Sequence, residues 1–451
     1  MKIKTILLAL LFFNFSMLLS ADENQDVKTG WNFGALPAVS FNSDLGFQYG
    51  GLINLFNYGD GSRYPNYDHM LYFEISRYTK GSGLFRFSYD SEVLIPGIRL
   101  TFDASYMPEQ AISFLGFNGF ESVYNPDWED DEITTDYKSR MFYKQQRNMW
   151  RVHTDVSGPL YGEKLKWAAG FEIYDIRPAS VDIDRLNKGL DDDKKLPSVE
   201  EQPGLYERYQ QWGLIPQNET DGGMFVGLKA GLVYDTRDFH PNPMKGIWTD
   251  MILYAAPKSF SDLDEGFMRL SITHRQYFTL VPKTLSFVYR LSYQGNLGTH
   301  VPFYAQPLMI TTQLRGAYSE GLGGQRSLRG ILRNRVVGED FIYGNLEFRW
   351  KFLQTRLINQ NFYLALNPFL DVGQVVRKIE IEDQVNLLKQ QYVNVDWDNY
   401  FNFGSEKLHW TAGIGLKIVM NENFIISADY GKPFDPQDGK SGLYIGLNYL
   451  F

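Results

Sequence analysis

The sequence predicts an all-β fold, a transmembrane antiparallel β-barrel of sixteen strands, and three observations carry that prediction. Stretches of alternating apolar and polar residues recur from residue 35 to the end, separated by Gly, Pro, Asn and Asp clusters. Side chains alternate faces along a strand, so each stretch has one apolar and one polar face. The connections alternate between short and long, as periplasmic turns and outer loops do in an outer-membrane barrel. The chain also opens with an export signal, and no later apolar run is long enough for a spanning helix.

The signal comprises Lys2 and Lys4, an apolar run from Ile6 to Leu19, and a small residue at Ser20 or Ala21. Residues 1–20 are therefore set apart from the fold. Residues 21–34 read as a short periplasmic segment, too small for a folded module, and residues 35–451 as the barrel. Aromatic residues make up 16% of the chain and cysteine is absent, which excludes disulfide frameworks and thiolate metal sites. A net charge of −9 excludes nucleic acid as a partner, since that needs a basic surface.

A membrane strand needs about 9–11 residues. The first candidates are Ala35–Asn42, Gly46–Tyr58, Met70–Thr79, Gly83–Glu92, Gly97–Tyr106, Phe142–Val156, Leu165–Ile176 and Gly223–Thr236. The others are Gly246–Ala256, Phe267–Thr279, Leu285–Leu297, Phe341–Phe352, Phe362–Val375, Leu408–Met420, Phe424–Tyr430 and Gly442–Phe451. In Leu285–Leu297, the residues Leu285, Phe287, Tyr289, Leu291 and Tyr293 share one face, opposite Ser286, Arg290, Ser292, Gln294 and Asn296. Gly246–Ala256 alternates less cleanly. The four long connections, Met107–Met141, Arg177–Gly222, Gly298–Asp340 and Val376–Lys407, all fall on the outer side. On the inner side Ser157–Lys164, Val281–Thr284 and Asn421–Asn423 are short, whereas Gly59–His69 and Arg237–Lys245 are long for turns.

The stretch Gly323–Lys351 joins a Gly- and Arg-rich loop to a two-faced strand. Ile342, Gly344, Leu346, Phe348 and Trp350 form its apolar face. Tyr343, Asn345, Glu347, Arg349 and Lys351 form the opposite face, which in a barrel looks into the lumen.

Four places in this half of the chain resemble the BamA/TamA-type outer-membrane superfamily, whose barrels carry the bacterial surface antigen domain. Ser327-Leu328-Arg329-Gly330-Ile331 is similar to the Arg-Gly motif at the tip of that family's sixth outer loop, with Leu328 and Ile331 departing from the commonest neighbours. Asn345-Leu346-Glu347-Phe348-Arg349 and Phe369-Leu370-Asp371-Val372-Gly373 are similar to the two strands that follow. Tyr234-Asp235-Thr236-Arg237-Asp238, with Pro241 and Gly246, is similar to the turn between strands eight and nine. Tyr449 and the final Phe451 fit the family's aromatic barrel-insertion signal. Strand counting independently puts the Arg-Gly loop between strands eleven and twelve, where that family has it.

The resemblance implies that the sixth outer loop folds into the lumen and is held there by Arg329 beside Gly330. It pairs Arg329 with Asp371, or with Glu347 as second partner, and Gly373 leaves room for a backbone to approach. A guanidinium is always charged and forks well onto a carboxylate. Arg290, Arg349, Lys351 and Lys417, together with Lys229, Arg269 and Arg275, point inward and make a candidate basic lumen strip. The bland alternative is a set of ordinary solvated lumen charges.

Two acidic runs, Glu129–Glu132 and Asp191–Asp193, lie on outer loops but lack the ligand spacing of a calcium loop, and no metal or cofactor is expected. Six histidines form no HExxH pair, and neither a GxSxG elbow nor a phosphate loop is present, so no enzymatic activity is expected. The expectation is an outer-membrane protein lacking POTRA domains that aids assembly, insertion or translocation of outer-membrane proteins or lipids. Its seam would join Ala35–Asn42 to Gly442–Phe451, weakened by Pro37. Its partners would be outer-membrane lipids and periplasmic or outer-membrane proteins that replace the POTRA function. The alternatives are a passive or substrate-selective pore and a surface adhesin.

Overall fold

The computed structural model describes residues 27–37, 40–42, 46–79, 81–132, 135–298, 300–311 and 321–451. The signal assigned to residues 1–20 lies outside them. Sixteen antiparallel strands form one sheet. The first, β1, is in two pieces, Trp31–Pro37 and Ser40–Asn42. Both pair with the next strand in one register, Trp31 with Asn57, Pro37 with Gly51 and Asn42 with Gly46, so they are one strand interrupted after Pro37.

The remaining strands are β2 Gly46–Asn57, β3 His69–Tyr78, β4 Gly83–Ile95, β5 Ile98–Ser113 and β6 Lys144–Tyr161. They continue as β7 Leu165–Ala179, β8 Gly223–Asp235, β9 Gly246–Ala256, β10 Phe267–Val281 and β11 Leu285–Asn296. The last are β12 Asp340–Leu357, β13 Gln360–Arg377, β14 His409–Met420, β15 Phe424–Pro433 and β16 Gly442–Leu447. Each pairs with its chain neighbours, and among the described residues no register joins β16 to β1.

Alternation sorts the faces as the sequence predicts. The outward positions Phe73, Ile75, Phe171, Leu232, Leu291, Phe348, Leu416 and Ile445 are exposed apolar residues suited to lipid. The inward positions carry most of the charge, and these side chains are buried.

Several boundaries differ from expectation. β1 starts at Trp31, directly after Gly30 at φ 58°, so residues 31–34 belong to the barrel and not to a periplasmic segment. β5 runs on to Ser113, past the expected Tyr106, where polar residues such as Glu109 and Gln110 hide the apolar alternation, and β6 runs past the expected Val156 to Tyr161. β16 ends at Leu447, because Asn448 takes a left-handed conformation, φ 69°, and turns the chain inward.

The described parts of the long outer loops are packed. Among the described residues three α-helices, α1 (Ile183–Asn187), α2 (Leu205–Gln211) and α3 (Glu382–Gln391), belong to them. Their aromatic residues, among them Phe114, Trp128, Phe142, Tyr209, Trp212 and Phe401, join one buried cluster over the outer mouth. Lys138 sits 3.1 Å from the Trp128 ring centroid and donates to Tyr400 Oη, tying two of these loops together.

Candidate functional site

The loop between β11 and β12 returns into the barrel at Gly321–Val336, closed on itself by the Leu322–Val336 bridge. Gly323 and Gly324, with φ of 116° and 86°, turn the chain, and the Ser327 hydroxyl accepts from the Gly323 N–H at 2.9 Å. Leu328 and Ile331 then pack with Leu322, Val336, Phe341, Tyr343 and Val375 on the wall. This apolar contact aims Arg329 at β12–β15.

Arg329 makes a fork on Asp371, with Nε 2.9 Å from Oδ2 and Nη2 2.8 Å from Oδ1. Its backbone N–H also donates to Asp371 Oδ2, and Nη1 donates to Glu347 Oε1 at 2.7 Å. The guanidinium lies 3.5 Å from the centroid of the Phe369 ring, and the Arg329 carbonyl accepts from the Thr411 hydroxyl. All three charged groups are essentially inaccessible, at 1%, 0% and 1% exposure for Arg329, Asp371 and Glu347. Charges held this dry must be paired and fully hydrogen-bonded to be tolerated.

Glycines set the approach. A Cβ on Gly431 of β15 would collide with the Arg329 carbonyl, and one on Gly413 of β14 would strike the Phe369 ring. Gly373 plays a different part from the one expected. A Cβ there would stand 2.9 Å from Leu328 Cδ1 and 3.0 Å from Leu322 Cδ1, so it admits side chains, and the backbone contact is made at Gly431 instead.

The inward cations do not form a free basic strip. Arg349 donates to Glu347 Oε2 at 2.9 Å and to the Phe451 main-chain oxygen at 2.7 Å. Lys417 contacts both oxygens of Asp429, at 2.8 and 2.6 Å. Arg290 donates to Asn345 Oδ1 and the Arg326 carbonyl, and Lys351 lies 3.6 Å from Glu422. Lys229 pairs with Asp155 and Glu172 and reaches the Thr311 carbonyl, Arg275 pairs with Asp250, and Arg269 donates to the carbonyls of Ala305, Gln306 and Leu308. The carboxylates that pair with them and the carbonyls and amide that accept from them come from strands and loops far apart in sequence, so alternation alone could not reveal them.

The turn after β8 folds under the barrel. Asp235 forks with Arg237, whose guanidinium lies 4.0 Å from the Trp248 ring centroid. Asp238 accepts from the N–H groups of Met244 and Lys245, and buried Asn242 reaches across to donate to Tyr363 Oη on β13 at 2.7 Å. Beside it, Asn423 donates to Tyr58 Oη and to the Pro65 carbonyl of the long turn after β2. Tyr449 and Phe451 lie inside the barrel above these turns, against Arg349 and not toward lipid. Phe369, Thr411, Gly431 and Asp429 were not singled out from the sequence as site residues. A glycine in mid-strand, as at Gly431, is the one local signal of close backbone approach.

A model of the Omp85 superfamily domain matches residues 168–451. Among solved structures, CdiB from Escherichia coli matches with a TM-score of 0.54 at 11% identity, over 96% of this chain and 67% of that one. BamA from Haemophilus ducreyi lacking POTRA domains 1–3 matches with a TM-score of 0.49 at 14% identity, over 93% of this chain and 70% of that one. No curated protein matches the chain by sequence.

Proposed function

The chain belongs to the Omp85 superfamily and is an outer-membrane β-barrel, and from that premise we propose that it aids assembly, insertion or translocation of outer-membrane proteins or lipids at its seam. One observation carries this reading: the inner wall is filled. In a conducting pore, inward charges face water. Here Asp103, His153, Glu172, Arg269, Arg290, Glu347, Arg349, Asp371 and Lys417 are all buried. The outer loops cover the mouth above them, and the turns after β2 and β8 lie below.

The seam is the weak part of the wall. β16 pairs with β15 over only six residues, from Gly442 to Leu447. Below that point the Phe424 ring of β15 packs directly on Gly34 of β1, where a Cβ would clash with it. β1 itself contains Pro37, which lacks a ladder donor. A sheet edge held by few hydrogen bonds is a template for an added strand and an opening toward lipid. In this reading the clients reach the seam from the membrane or with the help of partner proteins in the periplasm or outer membrane.

A strain lacking the protein, profiled for outer-membrane proteins and lipids, tests the proposal. Depletion of a defined set of proteins or lipids is expected, and an unchanged profile overturns it. Purified barrel in a planar bilayer should give small, flickering conductance, whereas large steady channels would favour the pore.

A further inference from the structure

We propose that the inner rim of the barrel from β6 to β13 is a binding surface for anionic phospholipid, with apolar turn tips entering the bilayer and Lys and Arg side chains meeting the headgroup phosphates. The inference is independent of the seam reading above. It needs only that these turns stand at the inner end of an outer-membrane barrel. Three features support it.

The rim is one continuous structure. The turns after β6, β8, β10 and β12 follow one another round the barrel, and each is tied to the next. The Asp235 N–H donates to the Lys164 carbonyl at 2.9 Å, Thr279 Oγ1 to the Met244 carbonyl at 3.0 Å, and Gln354 Nε2 to the Lys283 carbonyl at 3.1 Å. Lys28, just before β1, joins the last turn by donating to the Asn359 carbonyl.

The tips are apolar where a turn has least use for it. Leu160 and Tyr161, Leu280 and Val281, and Leu357 and Ile358 are all exposed. Ile358 is the sharpest case. It stands at φ 49° beside Asn359 at φ 57°, in the two-residue turn that joins Leu357 to its partner Gln360. That conformation suits Asn or Gly and strains a β-branched residue. Ile358 is also 96% exposed, so packing within the barrel does not offset the strain, and transfer of the side chain into lipid would. The tips continue the lipid-facing wall, where Phe278 and Phe348 lie exposed on the same strands. That continuity favours a bilayer over a protein as the occupant.

The charge is of the sign that phosphate attracts. A cation flanks each apolar tip: Lys164 and Lys166 follow Tyr161, Lys283 follows Val281, and Arg356 precedes Leu357. Lys245 stands exposed on the turn between them. Acids on these turns are few. They are Glu163, which follows Tyr161 directly, and Asp238, which is taken up by the N–H groups of Met244 and Lys245. The chain as a whole carries −9, and its acidic runs at residues 129–132 and 191–193 lie on the outer loops, at the opposite end. Apolar points among Lys and Arg are the composition that holds a protein surface to an anionic bilayer, since buried apolar area and headgroup attraction act together.

The test uses the full chain refolded in vesicles of phosphatidylcholine and phosphatidylglycerol. The sequence has no cysteine, so Thr355→Cys, close to the Ile358 tip, takes a single bimane label. Quenching by nitroxide-bearing phosphatidylglycerol is compared with quenching by the phosphatidylcholine analogue at equal mole fraction. The anionic lipid should quench about twofold more strongly. That preference should fade as salt rises from about 0.1 M to about 1 M, which shortens the screening length from about 10 Å to about 3 Å. Lys28→Gln, Lys283→Gln and Arg356→Gln together should remove it, whereas Ile358→Asn should lower quenching by both lipids. Equal quenching by the two lipids in the otherwise unaltered barrel overturns the proposal. So does a label that neither lipid reaches, the result expected if the rim receives an acidic protein instead. A preference that neither salt nor the triple variant moves, or an Ile358→Asn barrel quenched as before, also counts against it. If the triple variant loses its heat-modifiable gel shift, Lys283→Gln alone replaces it and should weaken the preference; an unweakened preference overturns the proposal.

Discussion

Gly330, at the tip of the inward-folded loop between β11 and β12 (the lid), and Gly431 in β15 touch backbone to backbone: a Cβ on Gly330 would stand 2.5 Å from the Gly431 carbonyl carbon. Gly330 also has φ 99°, a conformation that strains any other residue. Its N–H donates to Tyr444 Oη on β16, so the lid rests on the two strands next to the seam. Gly431→Ala should therefore push the lid tip away from β15. Its own conformation allows a side chain, so the barrel should still fold while the loop becomes sensitive to protease near residues 327–331. Unchanged cleavage would mean that the tip is held elsewhere.

Arg329→Ala removes the cation that forks onto Asp371 and leaves that carboxylate buried without it. Breaking a buried pair in this way costs about 3–5 kcal/mol. The expected readout is a lower unfolding midpoint in urea and a weakened heat-modifiability shift. Arg329→Lys should rescue little, since an ammonium cannot make the fork onto Asp371 while reaching Glu347.

Lys229 is the cation of a second buried group, with Asp155, Glu172 and His153. Lys229→Met should destabilise the barrel by a similar amount, about 3–5 kcal/mol, because two carboxylates lose their charged partner. It should also free the Thr311 end of the lid loop, which hydrogen exchange at residues 305–311 would register. A variant as stable as wild type would show that His153 alone suffices.

His300 and Glu219 link two outer loops, with Nε2 2.5 Å from Oε1. The hydrogen bond to Glu219, aided by its charge, holds the imidazole above its usual range. A group whose folded pKa is raised gives its stabilisation in full below the unfolded value, near 6.5, and loses it as pH climbs through the folded value. Proteolysis of the loop after β11 should thus accelerate from pH 6 to pH 9. Glu219→Gln should flatten the pH profile, and a wild-type loop indifferent to pH would contradict the link.

How much of this was legible in the sequence follows from what each feature depends on. Strand alternation is a local property, so Glu347, Arg349, Asp371 and Lys417 could be placed on the inward face from the pattern alone. Loop length is local too, and it separated outer loops from turns and put Arg329 between β11 and β12. What the inward groups meet is not local. Asp429 faces Lys417 across two neighbouring strands, and Glu347 is shared by Arg329 and Arg349, so the candidate strip is a hydrogen-bonded network and not a row of free cations. Nothing in the spacing of Asn448 shows that the chain leaves the sheet there, or that Phe451 ends against Arg349. The sequence by itself determined a two-faced barrel wall, because period-two patterning must match the lipid on one side. Only the tertiary structure decided that the lumen is filled, because burial and charge pairing arise when distant strands and loops are brought within hydrogen-bond reach.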